Sequence, residues 1–338
     1  MACALQVSGR ASWGRLAAAL HASERTVARR AQRLLDYGTV RVLATVDTQH
    51  IGWGDPVLLR LRCEPRATVR VAQTLAQRAD TRTVMLTSGS ADCFAEVVPA
   101  NREQLQELLL DTLPGLGVAA SHSAYSALRF FAAAHDWNAN LLAPGEVARL
   151  RGRSLPQLGE WETVESLDDI DRAIVPTLAA NGRIPVTVLA ARTGISPATA
   201  SRRIESLIDR GIIRIRAETN PSLFGLKAEA LLWMRVRPQY LEAAGLALST
   251  QPAVSSLIAV TGEYQLFAHV LLGGRRALYE FITQTLGGIA GIRDVDVTDA
   301  LEAVKRGGMT FPTPHAAPRR VMGPRLPQGP GKVGSRSV

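Results

Sequence analysis

Two short clusters of arginine, serine and threonine have the residue types and spacing needed to contact duplex DNA. In one cluster, Ser196 and Pro197 begin a helical pattern that carries Arg202 and Arg203, and Gly194 lies in the turn before it. Serine is a good N-cap and proline fits the first helical position. The stretch therefore predicts a helix-turn-helix whose second helix is free to enter a groove. A guanidinium on that helix can bind guanine O6 and N7 or a phosphate.

The same pattern occurs a second time, 173 residues earlier in the chain. At this offset the superposed pairs are Gly9 and Gly182, Leu16 and Leu189, Ser23 and Ser196, Thr26 and Thr199, Arg29 and Arg202, Arg30 and Arg203, and Gly38 and Gly211. The match continues to Gly89 and Gly262, and a one-residue slip restores Gly117 on Gly291. An ungapped match of this length indicates duplication. We therefore divide the chain into a first half and a second half, each of about 140 to 150 residues, an ordinary domain size.

Positive charge is concentrated in the two predicted helix-turn-helix segments and in the C-terminal tail. The formal net charge is +9, but the residues after Glu302 contribute seven lysines and arginines and no acid, which leaves +2 for residues 1–304. Residues 8–43 and 181–216 each contain seven arginines against two acids, so each segment carries +5. Local charge of this sign and density is the electrostatic footprint of a phosphate-binding module.

The candidate DNA contacts are the N-terminal residues of the two recognition helices, because these face base edges in the major groove. They are Ser23, Arg25, Thr26, Arg29 and Arg30 in the first half and Ser196, Ala198, Thr199, Arg202 and Arg203 in the second. We interpret Arg30 and Arg203 as phosphate clamps, which set register without reading sequence. The two helices differ, because Glu24-Arg25 in the first half corresponds to Pro197-Ala198 in the second. We therefore expect one chain to read two unlike half-sites. We also expect its own two sensor domains to pair with each other as a built-in dimer.

The remaining pattern predicts an α+β protein with two repeats of a winged-type helix-turn-helix followed by a β-α-β-β-α-β, ferredoxin-like domain. The predicted domains are helix-turn-helix modules at 1–45 and 165–218, ferredoxin-like sensor domains at 55–130 and 226–306, a linker at 131–164 and a disordered basic tail at 307–338. The tail is rich in Pro, Gly and Arg and poor in large apolar residues. It either holds nucleic acid loosely or is a solubilising end.

The start of the chain differs from the start of the second half. Asp168 is predicted to cap an opening helix that runs to Leu178, with acids in its first turn. Met1 falls on Ile174 at the 173-residue offset, so the first copy lacks about two turns of this helix. We expect the true start to lie upstream of Met1. Pro176 is predicted to kink the second copy's helix.

Composition indicates a soluble cytoplasmic protein without a metal or disulfide framework. The chain is 46% hydrophobic and 20% charged, a normal globular balance. Cys3, Cys63 and Cys93 are odd in number and form no CxxC pair, so neither a zinc site nor a set of disulfides is predicted. No signal peptide or long apolar run appears, and we expect no membrane partner and no cofactor.

At this point the second half resembles the Lrp/AsnC family, the feast/famine transcription regulators. The residues that carry the resemblance are Leu167 to Arg172, Asn181 to Arg183, Leu189-Ala190, Ser196 to Ile204, Gly211 to Ile213, Asn220-Pro221, Gly225-Leu226 and Thr261 to Tyr264. The first half is similar to the same family but keeps fewer of these residues. The resemblance implies a DNA-binding regulator of amino-acid metabolism or of a neighbouring gene, with a ligand-sensing (RAM) domain that also dimerises, and hence a homo-oligomer.

The resemblance also places a candidate effector site at Thr261, Gly262, Glu263 and Tyr264. A glycine turn exposes backbone N–H groups, Glu263 has the charge to bind an ammonium, and Tyr264 provides a wall for a small metabolite such as an amino acid. The alternative is an ordinary hairpin turn with a core-facing tyrosine. Because Ser88 to Asp92 has neither the glutamate nor the tyrosine, we expect at most one competent site per chain.

Two other functions remain open from sequence. Sirohaem decarboxylases are similar to this family in fold, pair two such modules and use His and Arg around a tetrapyrrole; here only His122 and His269 fall in or near predicted sensor strands. A nucleoid-associated protein would bind DNA broadly and use the basic tail. No Ser/His/Asp set, paired catalytic carboxylates, phosphate-binding GxxxxGK[ST] loop or metal cluster is visible, so we do not predict an enzyme.

Overall fold

The computed structural model describes residues 1–118, 122–151 and 164–311. The chain opens with a helical module made of α1 (Ala2–Val7), α2 (Trp13–Ala19) and α3 (Glu24–Asp36), followed by β1 (Val40–Val46). Small apolar residues close its core, among them Leu5, Leu16, Val27 and Ala31, all of which are buried. α1 has six residues.

The first half continues into a strand-rich unit. Its elements are β2 (Val57–Leu61), α4 (Thr68–Gln77), β3 (Thr81–Ser88), β4 (Cys93–Val97), α5 (Arg102–Glu107), which passes through π-helical turns at Leu108–Thr112 into α6 (Leu113–Gly115), and β5 (Ser123–Ala132). Side chains alternate along β2 as a half-buried strand requires. Leu59 and Leu61 pack under the helices, whereas Leu58 faces the opposite side of the sheet.

The predicted linker at 131–164 contains a helix, α7 (Pro144–Arg151), which packs on the shortened first module. Leu150 is completely buried in the core of that module. Arg15 of α2 donates from Nη2 to the carbonyl oxygen of Leu150 at 2.9 Å and thereby holds the last turn of α7. A helix from the connector thus covers part of the apolar surface of the first module.

The second half repeats the order of elements. These are α8 (Asp169–Ala180), α9 (Val186–Thr193), α10 (Pro197–Asp209), β6 (Ile213–Thr219), β7 (Ala228–Val236), α11 (Leu241–Ser249), β8 (Val254–Val260), β9 (Leu266–Leu272), α12 (Arg275–Glu280) with π-helical turns at Phe281–Leu286, β10 (Ile292–Arg306) and β11 (Met309–Thr310). Asp168 caps α8 as predicted, since its Oδ1 accepts from the backbone N–H of Asp171 at 2.8 Å. Gly307 and Gly308 turn β10 into β11 with positive φ angles of 54° and 88°. The rest of the predicted basic tail, from 312 onward, lies outside the described residues.

Eight strands close into a barrel that contains both halves. Hydrogen-bonded neighbours run in the order β10, β3, β4, β2, β5, β8, β9, β7 and back to β10, with β11 on the side of β10. The two seams between the halves are symmetric: Ala127 of β5 lies opposite Val260 of β8, and Ala300 of β10 lies opposite Thr87 of β3. The prediction of two ferredoxin-like domains therefore holds only as an α+β arrangement. Each four-stranded sheet uses its edge strands to pair with the other, which leaves the eight strands without a free edge.

The two helix-turn-helix modules are also joined directly. β1 pairs antiparallel with β6, with Val40 opposite Thr219 and Val46 opposite Ile213. Val40 and Ile213 are equivalent under the 173-residue offset, as are Val46 and Thr219, so the pairing is symmetric about its centre. We call this two-stranded sheet the ribbon.

Two arginines cross between the modules beside the ribbon. Arg10 Nη1 donates to the carbonyl oxygen of Gly182 at 2.8 Å, and Arg183 Nη1 donates to that of Gly9 at 2.6 Å. The backbones approach so closely that a Cβ on Gly9 would lie 2.8 Å from the carbonyl oxygen of Ile215. The sequence pattern groups both arginines with the phosphate-facing charge, but the structure places their guanidinium groups between the modules.

Replacing Arg10 by alanine is expected to lower the free energy of unfolding by about 1–3 kcal/mol, because part-buried carbonyl groups of the second module lose their donor. Those groups belong to Gly182 and Ile184. Denaturant unfolding of Arg10→Ala measures the loss, and Arg41→Ala, which removes an exposed arginine of the same segment, is the matched control. Unchanged stability together with weaker DNA binding would place Arg10 on the nucleic acid instead.

None of the helices in the described ranges has the length and apolar character needed to cross a bilayer. Nor do the same ranges bring three or more His, Cys, Asp or Glu side chains together in a group that would hold a metal ion.

Candidate nucleic-acid interface and ligand cavity

Both recognition helices begin with the same cap. Ser23 Oγ accepts from the backbone N–H of Thr26 at 3.3 Å, and Ser196 Oγ accepts from that of Thr199 at 3.1 Å. In each pair the serine and threonine hydroxyl oxygens are also 2.9 Å apart. These four predicted contact residues therefore share one local role, since they fix where α3 and α10 start.

The cap sets which residues of each helix face outward. Val27 and Ala31 of α3 and Ala200, Ile204 and Leu207 of α10 are buried. On the opposite faces, exposed side chains include Ser23, Arg25, Arg29 and Arg30 in the first half and Ser196, Ala198 and Arg202 in the second. The structure thus brings most of the predicted DNA contacts to one exposed surface of each recognition helix.

Arg203 is the exception in the second half. Its Nη1 lies 2.6 Å from Asp168 Oδ2 and 3.4 Å from Asp171 Oδ1, so it joins α10 to the start of α8. Arg210 reinforces the junction through Asp171 Oδ2 at 3.2 Å. The equivalent Arg30 is exposed and forms no ion pair with a residue that the structure describes. Arg30 and Arg203 occupy equivalent positions, but two aspartates balance the charge of Arg203 whereas the charge of Arg30 is exposed.

One end of the barrel is filled by a polar and aromatic cluster of which the sequence motifs marked only Tyr264. The Arg60 guanidinium lies 5.0 Å from the ring centroids of both Trp233 and Tyr264 and 2.6 Å from Asp296 Oδ2. Ser90 Oγ donates to Asp296 Oδ1 at 2.8 Å. Burial acts to raise the pKa of Asp296, but the hydrogen bonds from Ser90 and Arg60 hold it below its usual value. Arg60 and Trp233 occupy equivalent positions of the two halves but are different residue types. The sequence repeat therefore gave no sign that these two side chains contact each other.

The other end of the barrel opens into a cavity beneath the ribbon. The space is about 1160 Å³, including its opening to solvent. Its apolar floor is made by Leu58, Met85, Phe94, Ile258 and Phe267. Its upper wall is made by residues 45–49 and by Arg216, Glu218, Thr219 and Pro221, which lie in or directly after the ribbon strand β6. We call this space the cavity; it lies where the DNA-binding modules meet the barrel.

A charged network borders the cavity on the side of the second half. Glu229 Oε1 lies 2.7 Å from His269 Nε2 and 2.7 Å from Arg306 Nη2, and Ser255 Oγ lies 2.8 Å from His269 Nδ1. Burial acts to raise the pKa of Glu229, but the charge of Arg306 and the contact with His269 lower it to about 2. The first half has Pro56 where the second has Glu229, so the cavity is asymmetric despite the repeat.

Comparison with known proteins identifies both kinds of domain. Residues 167–214 match the winged helix-turn-helix DNA-binding family, and residues 229–310 match the Lrp/AsnC ligand binding domain. An uncharacterized HTH-type transcriptional regulator of Pyrococcus abyssi is 32% identical over 143 residues, which are 42% of this chain and 90% of the relative. The chain belongs to the Lrp/AsnC family. This confirms the resemblance found in the sequence, and with it the function of a DNA-binding, metabolite-modulated transcriptional regulator.

Two further comparisons locate this Lrp/AsnC protein among its relatives. The regulator LrpA of Mycobacterium tuberculosis is 33% identical over 131 residues, 38% of this chain and 87% of that protein; its crystal structure covers 40% of this chain, with a TM-score of 0.37. The crystal structure of the siroheme decarboxylase NirDL covers 87% of this chain and 86% of its own, with a TM-score of 0.58 and 16% identity. The likeness to NirDL shows that a whole-chain fold is shared.

In this Lrp/AsnC protein the predicted effector turn is occupied by its own neighbours. Thr261 Oγ1 accepts from the backbone N–H of Ser126 at 2.9 Å, and Glu263 forms an ion pair with Arg235. Tyr264 is only 7% exposed, and its hydroxyl donates to Asp296 Oδ2 at 3.3 Å. Gly262 has a φ of +94° and packs on the Tyr125 ring. Binding an ammonium at Glu263 would require exchange of Arg235.

Replacing Glu229 by glutamine is expected to remove up to about 3 kcal/mol of stability at neutral pH, because a carboxyl whose pKa falls from 4.5 to about 2 on folding stabilises the folded state when ionised. For such a lowered pKa the contribution is complete above pH 4.5 and is lost as the pH falls toward 2. The unfolding free energies of wild type and Glu229→Gln should therefore converge between these limits. Glu103→Gln, on an exposed helix position, should change neither value. A constant difference down to pH 2 would show that packing, rather than charge, sets the effect.

Proposed function

We propose that this protein reads DNA as a single chain with two unlike recognition helices, held at a set spacing without a second copy, and that a small metabolite such as an amino acid modulates the binding. The observation that carries the proposal is the junction between the modules. The ribbon and the exchanged contacts of Arg10 and Arg183 connect two helix-turn-helix modules within one chain. A homodimer would present identical helices, whereas here Glu24-Arg25 in one helix replaces Pro197-Ala198 in the other.

The duplication that we infer from sequence explains this architecture. The strand order within each half is the one that a β-α-β-β-α-β unit adopts, and the seams β5–β8 and β10–β3 pair equivalent residues. We propose that two copies of a one-module ancestor were joined, so that a former interface between chains became an interface within one chain. Once joined, the two recognition helices were free to diverge.

Roles for the individual side chains follow from their positions. Arg29 and Arg202 stand on the exposed faces of the recognition helices and are proposed to bind guanine edges, with Arg25 and Ala198 giving the two sites different preferences. Ser23, Thr26, Ser196 and Thr199 are proposed to contact the nucleic acid at the helix starts. Arg30 is proposed as a phosphate contact, and Arg203 is proposed to contribute less because Asp168 and Asp171 already bind it.

A gel-shift experiment tests the two-site proposal. Sites selected by the full chain from random duplexes are rebuilt with the two half-sites exchanged, duplicated in either form, or moved apart by half a helical turn, at 0.1 M salt. We expect the selected order to bind at least about tenfold more tightly than any rearrangement, a difference of about 1.4 kcal/mol. Equal affinity for all arrangements would refute reading by two unlike helices.

The second candidate is an enzyme related to siroheme decarboxylases. It is favoured by the whole-chain likeness to NirDL together with two histidines, His135 and His269, that line the cavity. Addition of an iron porphyrin tests it directly. A shifted visible absorbance band that His135→Ala and His269→Ala both abolish supports the enzyme, and an unchanged spectrum removes it.

A further inference from the structure

We infer that the cavity beneath the ribbon binds a small carboxylic acid with an apolar or aromatic body, and that this site, rather than the turn at 261–264, passes the metabolite signal to the DNA-binding modules. The second part of the inference rests on the proposed metabolite-modulated function. The first part stands on the cavity alone.

The floor of the cavity is suited to an apolar body. Phe94 and Phe267, equivalent residues of the two halves, stack with ring centroids 5.4 Å apart and planes 9° apart. Leu58, Met85 and Ile258 continue the same surface toward the opening. The space, about 1160 Å³ when its opening to solvent is counted, gives a molecule from solution access to this apolar surface.

The wall opposite the floor places His135 among arginines, and the cavity lining also carries the acids Asp47, Glu96 and Glu218. His135 lies near Arg82, Arg214 and Arg216; burial first, and then the charge of these three arginines, holds its pKa well below the usual value. Burial disfavours any charge at this place, but the charge of the three arginines acts in the opposite direction on an anion and favours a carboxylate. The acids Glu96 and Glu218 lie 3.7 Å from Arg82 and 3.1 Å from Arg216, so a bound carboxylate would share these guanidinium groups.

Four buried polar atoms at the cavity have no hydrogen-bond partner among the residues that the structure describes. They are Gln6 Oε1, His135 Nε2, Arg216 Nε and Arg306 Nε, of which Arg216 Nε lies 3.1 Å from Glu218 Oε1 as an ion pair. Gln6 is 5% exposed and reaches the cavity from α1, the first helix of the DNA-binding part. The acidic group nearest to His135 Nε2 is Asp136 Oδ2, 3.7 Å away. Since buried polar groups in folded proteins are nearly always paired, four such atoms around one space indicate a polar partner that enters it. The Nε–H groups of Arg216 and Arg306 can donate to a carboxylate, whereas Gln6 Oε1 can accept from an N–H of the same molecule.

Arg82 provides the connection to the ribbon. Its Nη2 donates to the carbonyl oxygen of Val46 at 2.6 Å and to Thr48 Oγ1 at 3.1 Å, at the end of β1. A carboxylate that takes this guanidinium competes with both contacts and loosens one end of the ribbon. The ribbon joins the two helix-turn-helix modules, so its position affects the spacing of α3 and α10. Ligand binding and DNA binding are then linked, and each changes the other by the same factor.

Calorimetric titration of the full chain provides the test. The probes are L-phenylalanine and L-leucine, their keto acids, and their amides, which lack the carboxylate. We expect at least one acid to bind, and its amide to bind at least tenfold more weakly. The keto acids show whether an ammonium contributes, which distinguishes an amino acid from another carboxylic acid as the source of the ligand.

Three variants locate the site. His135→Phe keeps a ring but removes the free nitrogen and should weaken binding at least tenfold, and Ser256→Trp should abolish binding by filling the cavity. Glu263→Gln, at the turn, is the matched control and should bind like wild type. Circular dichroism establishes that each variant is folded, and if Ser256→Trp fails to fold, His135→Phe and Glu263→Gln still decide between the two sites.

The possible results are distinct. If no acid binds, or if Glu263→Gln abolishes binding while His135→Phe does not, the cavity is not the effector site and the inference is overturned, although a chain that still shifts its selected DNA retains the proposed function. Acid binding at the cavity that leaves the DNA affinity unchanged overturns the signalling part. If the chain binds the acid through His135 but shifts no DNA, the proposed function fails and the cavity assignment stands.

Discussion

Replacing Arg29 and Arg30 together by alanine is expected to weaken binding to selected duplex DNA by about 100-fold at 0.1 M salt. Arg29 is placed to bind a base edge and Arg30 a phosphate, and a single guanidinium contact of either kind is worth at least about tenfold. The slope of log affinity against log salt should also become less negative by about one for every phosphate that the variant no longer binds. Gel shifts at several salt concentrations measure both quantities.

The repeat supplies a matched control within the same chain. Arg203 occupies the position of Arg30 but is bound to Asp168 and Asp171. We therefore expect Arg203→Ala to leave the salt slope nearly unchanged and to lower stability, because Asp171 is buried and keeps only Arg210 as its cationic partner among the described residues. Arg30→Ala should make the salt slope less negative and leave the stability nearly unchanged. Equal effects of the two substitutions on the salt slope would show that Arg203 exchanges its acids for phosphate when DNA binds.

Replacing Trp233 by alanine is expected to lower the free energy of unfolding by about 3–5 kcal/mol, the largest stability effect that we predict. The side chain is 1% exposed and contacts aromatic rings from both halves, with centroids 4.9 Å from Tyr125 and 4.6 Å from Phe267. Its removal also leaves the Arg60 guanidinium over a space instead of a ring. Denaturant unfolding followed by circular dichroism measures the loss.

Because Trp233 contacts both halves, its removal should destabilise the barrel as one unit. We expect a single unfolding transition at lower denaturant in Trp233→Ala, and Tyr279→Ala, which truncates an aromatic ring that is 67% exposed, should change the midpoint little. Two separate transitions in the wild type would contradict a barrel that folds and unfolds cooperatively across its seams.

These expectations describe a regulator whose dimer-like geometry is encoded in one chain. A protein assembled from two identical copies depends on concentration for its pairing, whereas joined modules remain paired at any concentration. The same joining permits asymmetry: one recognition helix has an exposed Arg30 and the other a bound Arg203, and one side of the cavity has Glu229 where the other has Pro56. Divergence of this kind is not available to a homodimer, since every substitution would appear twice.

What the sequence determined by itself is local. Ser196 and Pro197 predicted the start of α10, and Asp168 the cap of α8, because caps and the first helical position depend on residues within one turn. The repeat of Gly9 and Gly182 at a constant offset predicted two similar modules for the same reason. Family membership followed from these short motifs.

Only the tertiary structure decided which residues meet across the chain. Arg10 reaches Gly182, Arg60 stacks on Trp233, and the seams close two sheets into one barrel, in every case through residues far apart in sequence. Equivalent residues in a repeat look alike in sequence whether they contact DNA, an acid or each other. The sequence therefore predicts the same role, a phosphate clamp, for Arg30 and Arg203. Their surroundings differ, because Asp168 and Asp171 bind Arg203 whereas Arg30 is exposed. The surroundings of an arginine, more than its residue type, decide what it binds.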